Sequence, residues 1–239
     1  MQIKKLFIAL GIVLPLHMQG QNFLIKDAPE VIESYVNQFN REDNELYKQD
    51  IPNCGASDFL RKNIPFFECP DKELEKTYYF RWWTYRKHIK KTPDGFVITE
   101  FLPDVPWAGK YNTISCAANH HFYEGRWLRN AEILSDYASF WFSGSGNPRL
   151  YSFGAADAIY NYYLIHNDKM LLADLYPKLK DNFAKWEEEK RDSTGMFWQV
   201  DDRDGMEMSV SGHLSEGGRG YRPTINSYMY GEAVALAKI

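Results

Sequence analysis

Four carboxylates and one arginine crowd into Asp201-Asp202-Arg203-Asp204-Gly205-Met206-Glu207, just after Phe197-Trp198 and within a stretch that runs on to Gly212. Glycoside hydrolysis needs one carboxylic acid to protonate the departing oxygen, and a second carboxylate to activate water or attack carbon. Carboxylates this close, screened by Phe197, Trp198 and Met206, push one another's pKa values apart, so one can hold its proton near neutral pH. Two other readings fit the same residues. One is a solvated acidic turn; the other is a calcium loop with Asp201, Asp202 and Asp204 as oxygen ligands, although their spacing is not that of an EF-hand.

Two further segments carry groups suited to sugar. Tyr78-Tyr79-Phe80-Arg81-Trp82-Trp83-Thr84-Tyr85-Arg86-Lys87-His88 sets guanidinium groups beside rings. Arginine can hydrogen-bond hydroxyls while a ring stacks on the apolar face of a sugar. The same pattern also suits a helix with an aromatic core face and a basic solvated face. Trp107-Ala108-Gly109-Lys110-Tyr111-Asn112 is the other segment, with His120-His121 following it. Adjacent residues on a helix point to different faces, which argues against a histidine metal pair.

The elements that must position these groups read as helical nearly throughout. Trp127, Ala131, Leu134, Ala138 and Trp141 recur at three- and four-residue intervals and predict one long helix. Ala155–Ile165, Glu73–Ile89, Ile114–Tyr123 and, more weakly, Val31–Phe39 predict others. Pro177 is placed to start a helix with the stripe Leu179, Phe183 and Trp186. Ile225, Met229, Ala233 and Leu236 form a last stripe. Short connections (Gly144–Pro148, His166–Asp168) alternate with the long loops Thr92–Tyr111 and Gly195–Arg222, and long structured loops in a compact domain are usually functional. Stacked antiparallel helical hairpins are the expected architecture, with the long connections gathered at one end.

Composition narrows the function classes. Net charge is −4 over 239 residues, which gives no electrostatic footprint for nucleic acid. Aromatics make up 16% of the chain, compatible with a glycan cleft as well as with a ring-rich core. Lys4-Lys5, the apolar run Leu6–Leu16 and a polar stretch to Gly20 have the three regions of a secretory signal peptide, so residues 1–20 are expected to be a leader and the protein to be exported. That run is too short for a membrane span, and no other segment predicts one. Cys54, Cys69 and Cys116 lack metal-ligand spacing. Cys54 and Cys69 are close enough in sequence to pair.

Gly205-Met206-Glu207, followed by Ile225-Asn226-Ser227-Tyr228-Met229-Tyr230-Gly231-Glu232, resembles a motif pair of trehalase, family 63 glucosidase and mannosylglycerate hydrolase-like enzymes, which are six-hairpin (alpha/alpha) barrel glycosidases. The resemblance runs from about Phe80 to the C-terminus. It implies an all-α fold: an (α/α)6 toroid over residues 71–239, after a lead-in segment at 21–70. It also implies hydrolysis of an oligosaccharide or glycan, mostly with inversion, and no organic cofactor. Glu207 takes the general-acid position. The family usually has Asp there, so the longer Glu keeps Asp204 open as the alternative acid or an orienting partner. Arg81, Trp83, Arg86, Trp107, Asn226 and Tyr228 are the candidate sugar contacts. The family's catalytic base is a glutamate late in the barrel. About seven or eight helices are counted by periodicity, against the twelve of six closed hairpins. The last stripe stops without a capping glycine, so the sequence predicts a toroid cut short of its base, with little turnover of its own. The reading from another class is a non-catalytic glycan-binding or helical scaffold protein.

Overall fold

A computed structural model describes residues 28–205 and 218–239. The expected leader at 1–20 and Glu207 itself lie outside the described residues. Eight α-helices carry the chain: α1 (Ala28–Arg41), α2 (Ala56–Asn63), α3 (Lys72–His88), α4 (Ser115–Gly125), α5 (Glu132–Phe142), α6 (Ala155–His166), α7 (Lys169–Lys190) and α8 (Pro223–Lys238). Two small antiparallel ladders join them, β1 (Ile89–Thr92) with β2 (Gly95–Ile98), and β3 (Trp198–Gln199) with β4 (Gly220–Tyr221). The all-α class holds, and the helices stack as hairpins.

Cross-contacts fix the helix directions. Asn119 bonds Gly154, Tyr123 bonds Asp157 and Arg126 bonds Asn161, so residue numbers rise together and α4 runs parallel to α6. Glu232 accepts from Ala156 and Asp157, while Lys238 lies over Tyr160, which makes α8 parallel to α6 as well. Between them α5 and α7 return in the opposite sense as the second arm of each hairpin. Most of the outward face of α7 is charged and exposed, whereas Leu175, Leu179 and Trp186 are fully buried. That division makes α4, α6 and α8 one layer, with α7 behind it. Helices α1 and α2 pack on α3, where Tyr35 stacks on Tyr79 and Phe39 packs on Trp83.

Three expected elements are corrected. The Trp127-to-Trp141 stripe is not one helix: α5 starts at Glu132, whose N–H is accepted by the Asn130 side chain, and Trp127 stands exposed in the turn before it. A side-chain acceptor just ahead of a helix is a start signal that outranks the apolar period. Pro177 does not open a helix; α7 begins at Lys169, with the Asp168 side chain accepting from Leu171. An interior proline costs about 3 kcal/mol, and the burial of Leu172, Leu175 and Leu179 on either side of it offsets that. Finally, the loop predicted over Thr92–Tyr111 contains β2. Gly95 turns there at φ +95, and Val97 and Ile98 become fully buried; the Phe96 N–H reaches Asp136 on α5 at 3.0 Å. No disulfide joins Cys54, Cys69 or Cys116, so the pairing that spacing allows for Cys54 and Cys69 is not formed. Among the described residues, no helix is long and apolar enough to cross a membrane.

Candidate active site

Because α4, α6 and α8 are parallel, the segments leading into them meet at one end of the layer, where three helix N-termini add their positive dipole ends. Ser115 opens α4, and its hydroxyl accepts the Tyr151 N–H at 3.1 Å. Ser152, just ahead of α6, donates its own N–H to the Arg203 carbonyl at 2.8 Å and its hydroxyl to Asp204 Oδ1. Arg222 immediately precedes α8. Its Nε donates to Asp204 Oδ2 at 2.8 Å and its Nη1 to Asp201 Oδ1 at 2.7 Å. All three charged groups are buried, at 1% exposure for Asp201 and 3% for Asp204 and Arg222.

These bonds tie a neck. Residues 204 and 222 are held together, and this neck sits beside the N-termini of α6 and α8. Asn226 braces the approach to it: its Oδ1 accepts the Phe197 N–H at 2.9 Å, and its Nδ2 donates to the Phe197 carbonyl at 2.8 Å. Gly205 leaves the neck at φ +66, and a Cβ built there would lie 3.4 Å from Cys116 Sγ in the first turn of α4. Gly205→Ala is therefore expected to cost about 1–2 kcal/mol for the left-handed backbone, read as a lower urea midpoint. An unchanged midpoint would mean that residue 205 does not hold the left-handed backbone.

The remaining candidate residues divide by environment. Arg81 is exposed, pairs with Glu124 at 2.6 Å, and sits over a cavity of about 400 Å³ between α3 and α4, with Tyr78, Trp82, Tyr123 and Trp127 around it. Trp107 is half exposed, edge-on to Phe101, in the connection leading into α4. That connection is pinned by Asn112, whose Nδ2 donates to the Phe101 and Pro103 carbonyls and whose Oδ1 accepts from Val105. Tyr228 is half-buried against the Trp186–Phe197 cluster; burial, then the Asp204 carboxylate, pushes its phenol pKa up. Trp83 and Arg86, read from sequence as sugar contacts, are placed elsewhere. Trp83 is buried and donates to Asn40, and Arg86 is fully buried with its guanidinium held by Gln49, Asn53 and the Ile51 carbonyl. Both bind the α1 region to α3, because their rings and stems fall on the helix face that packs inward. Asp204 is a neck residue, and the carboxylates of Asp201 and Asp204 face Arg222, where the calcium reading had them facing a metal.

The sequence by itself assigns no role to Ser152, Arg222 or Glu232. A cation just ahead of a helix opposes the helix dipole; Arg222 before Pro223 was the available signal that a buried acid must be near. Ser152 offered none. Glu232 on α8 is fully buried and caps α6, its Oε1 accepting the N–H groups of Ala156 and Asp157. Burial raises its pKa to about 8, with Asp157 adding to the rise, and Oε2 has no partner among the described residues.

Parallel helices with their leading segments gathered at one end, and buried Asp201 and Asp204 held there by Arg222, form an all-α scaffold of the helical-toroid class. The chain belongs to the mannosylglycerate hydrolase MGH1-like glycoside hydrolase domain family, whose model matches residues 110–239. It is also similar to a solved structure titled "Sialidase", at 42% identity and a TM-score of 0.81 over 88% of this chain. The chain spans about 20% of that longer protein. No curated protein matches it.

Proposed function

We propose that the protein hydrolyses an oligosaccharide or glycan by carboxylate acid/base catalysis, with inversion, and that Glu207 donates the proton to the departing oxygen. The observation that carries this is the neck. Both carboxylate oxygens of Asp204 already accept hydrogen bonds, from Ser152 and Arg222. That supports a holding role for Asp204 and leaves proton transfer to the next acid along the chain. Arg81 and Trp107 are the sugar contacts that their exposure favours, with Tyr228 behind the neck. The second carboxylate belongs to the late part of the barrel, as the family resemblance implies, and the reaction asks for no organic cofactor. The N-terminal residues support an exported protein.

Incubated with a panel of oligosaccharides, a chain carrying this segment together with the later barrel helices is expected to release reducing sugar. Glu207→Gln should stop that release and spare sugar binding. Binding without release by the unaltered protein would mark a non-catalytic glycan-binding protein instead.

A further inference from the structure

Two cations converge on one indole beside the neck. The Lys190 ammonium lies 3.8 Å from the centre of the Trp198 ring, and the Arg219 guanidinium carbon lies 4.6 Å from it. Neither forms an ion pair among the described residues, while neighbouring acids are engaged elsewhere. Glu189 pairs with Arg149, Glu187 pairs with Arg191, and Asp192 accepts from Thr194 and Tyr221. Each cation gains from the indole face, but the two repel one another across it. Burial lowers the Lys190 pKa; nearby Glu189 offsets part of that fall, and Arg219 adds a smaller push in the same direction as burial. A surface lysine left to itself would swing into water; this one is half-buried against the ring. An anion between the two groups would relieve the conflict.

The surroundings say what kind of anion. Trp198 is paired with Tyr221 across the β3–β4 ladder, so both rings project from the same face, and Tyr221 is 54% exposed. Tyr221 is followed directly by Arg222, which grips Asp204. Two rings side by side suit the apolar face of a sugar, and two cations suit its carboxylate or sulfate. The overall charge of −4 argues against a polyanion track of the nucleic-acid kind.

We infer that Trp198, Lys190 and Arg219 form a subsite for an anionic sugar next to the neck, the ring stacking on the sugar and the two cations sharing its acid group. The inference rests on the glycosidase reading for its place in the reaction, but its test is one of binding. With this chain, calorimetric titration should show tetragalacturonate bound at least about tenfold more tightly than its methyl ester at low salt, a gap that closes as NaCl is raised. A sulfated tetrasaccharide in a third arm distinguishes the sources: binding as tight as the uronate means that charge alone is read, weaker binding that the carboxylate is. Arg219→Gln and Lys190→Gln should each reduce the preference severalfold with an unchanged melting temperature. Lys180→Gln, a surface lysine on α7, should leave it intact. Equal affinity for acid and ester, no binding of either, or an equal loss from Lys180→Gln would overturn the subsite. Hydrolysis lost in Glu207→Gln would still stand in each of those cases, so the two readings fail separately.

Discussion

Arg222→Met is expected to lower the unfolding free energy by about 3–5 kcal/mol, the usual range when one partner of a buried ion pair is removed. The size follows from what is left behind. Asp201 and Asp204 are buried acids, and the one guanidinium bridges them from two different nitrogens. Methionine fills much of the volume but carries no charge, so both buried carboxylates lose their counter-ion, and Asp204 keeps only the Ser152 hydroxyl on Oδ1. Lysine at the same position offers a compact ammonium that cannot reproduce the fork, and should recover only part of the loss. Asp201→Asn with Asp204→Asn, added to Arg222→Met, should restore much of it, since uncharged amides no longer need the cation. Urea unfolding reads all of these. A loss below about 1 kcal/mol for Arg222→Met would mean that water already reaches the neck and screens it.

Glu232→Gln is expected to act in the opposite direction and to change how stability varies with pH. In the fold, burial pushes the Glu232 carboxyl up to about 8, from an ordinary 4.5. Between those two values the folded state holds a proton that the unfolded state has released. Stability therefore falls as pH rises from about 4.5 to about 8, by roughly 1.4 kcal/mol per pH unit from this group alone, and levels off above. Glutamine mimics the protonated form: its oxygen can accept the Ala156 and Asp157 N–H groups, and it carries no charge. The variant should match the wild type near pH 4.5 and exceed it by several kcal/mol near pH 8. Asp157, whose own pKa is raised by burial, adds a smaller slope of the same sign that survives the substitution. Parallel stability curves for the two proteins across this range would show that Glu232 stays ionised in the fold.

The residues that made the fold legible were those whose apolar neighbours recur without interruption. The stripe Leu179, Phe183, Trp186 is the inward face of α7, and Ile225 with Met229 begins the inward face of α8. Beyond Met229 the stripe misleads. Counting apolar residues led to Ala233, which is exposed, whereas the buried face continues through Glu232 and Ala235. A polar residue on the inward face breaks the count, and here it caps another helix. The aromatic segment on α3 shows the same limit: residue type suggested a sugar surface for Trp83 and Arg86, but only packing against α1 decides which side of the helix looks inward. For the site, the acidic segment was visible as chemistry, yet its division of labour was not. Ser152 and Arg222 lie far from Asp204 along the chain, and no local spacing signals a bond between them.

In the proposed mechanism Glu207 gives the proton while Asp204 holds the neck. Leaving-group dependence tests it most directly in a chain with the complete barrel. Protonation of the departing oxygen matters most when that oxygen is a poor leaving group, and hardly at all for an activated aryl glycoside. Glu207→Gln is expected to lose about 10²–10⁴-fold in kcat on an unactivated oligosaccharide, and far less on a dinitrophenyl glycoside of the same sugar. Asp204→Asn should slow both substrates alike and lower the urea midpoint. The contrary result, a leaving-group-dependent loss in Asp204→Asn with Glu207→Gln near wild type on both substrates, would move the acid to Asp204 and overturn the assignment.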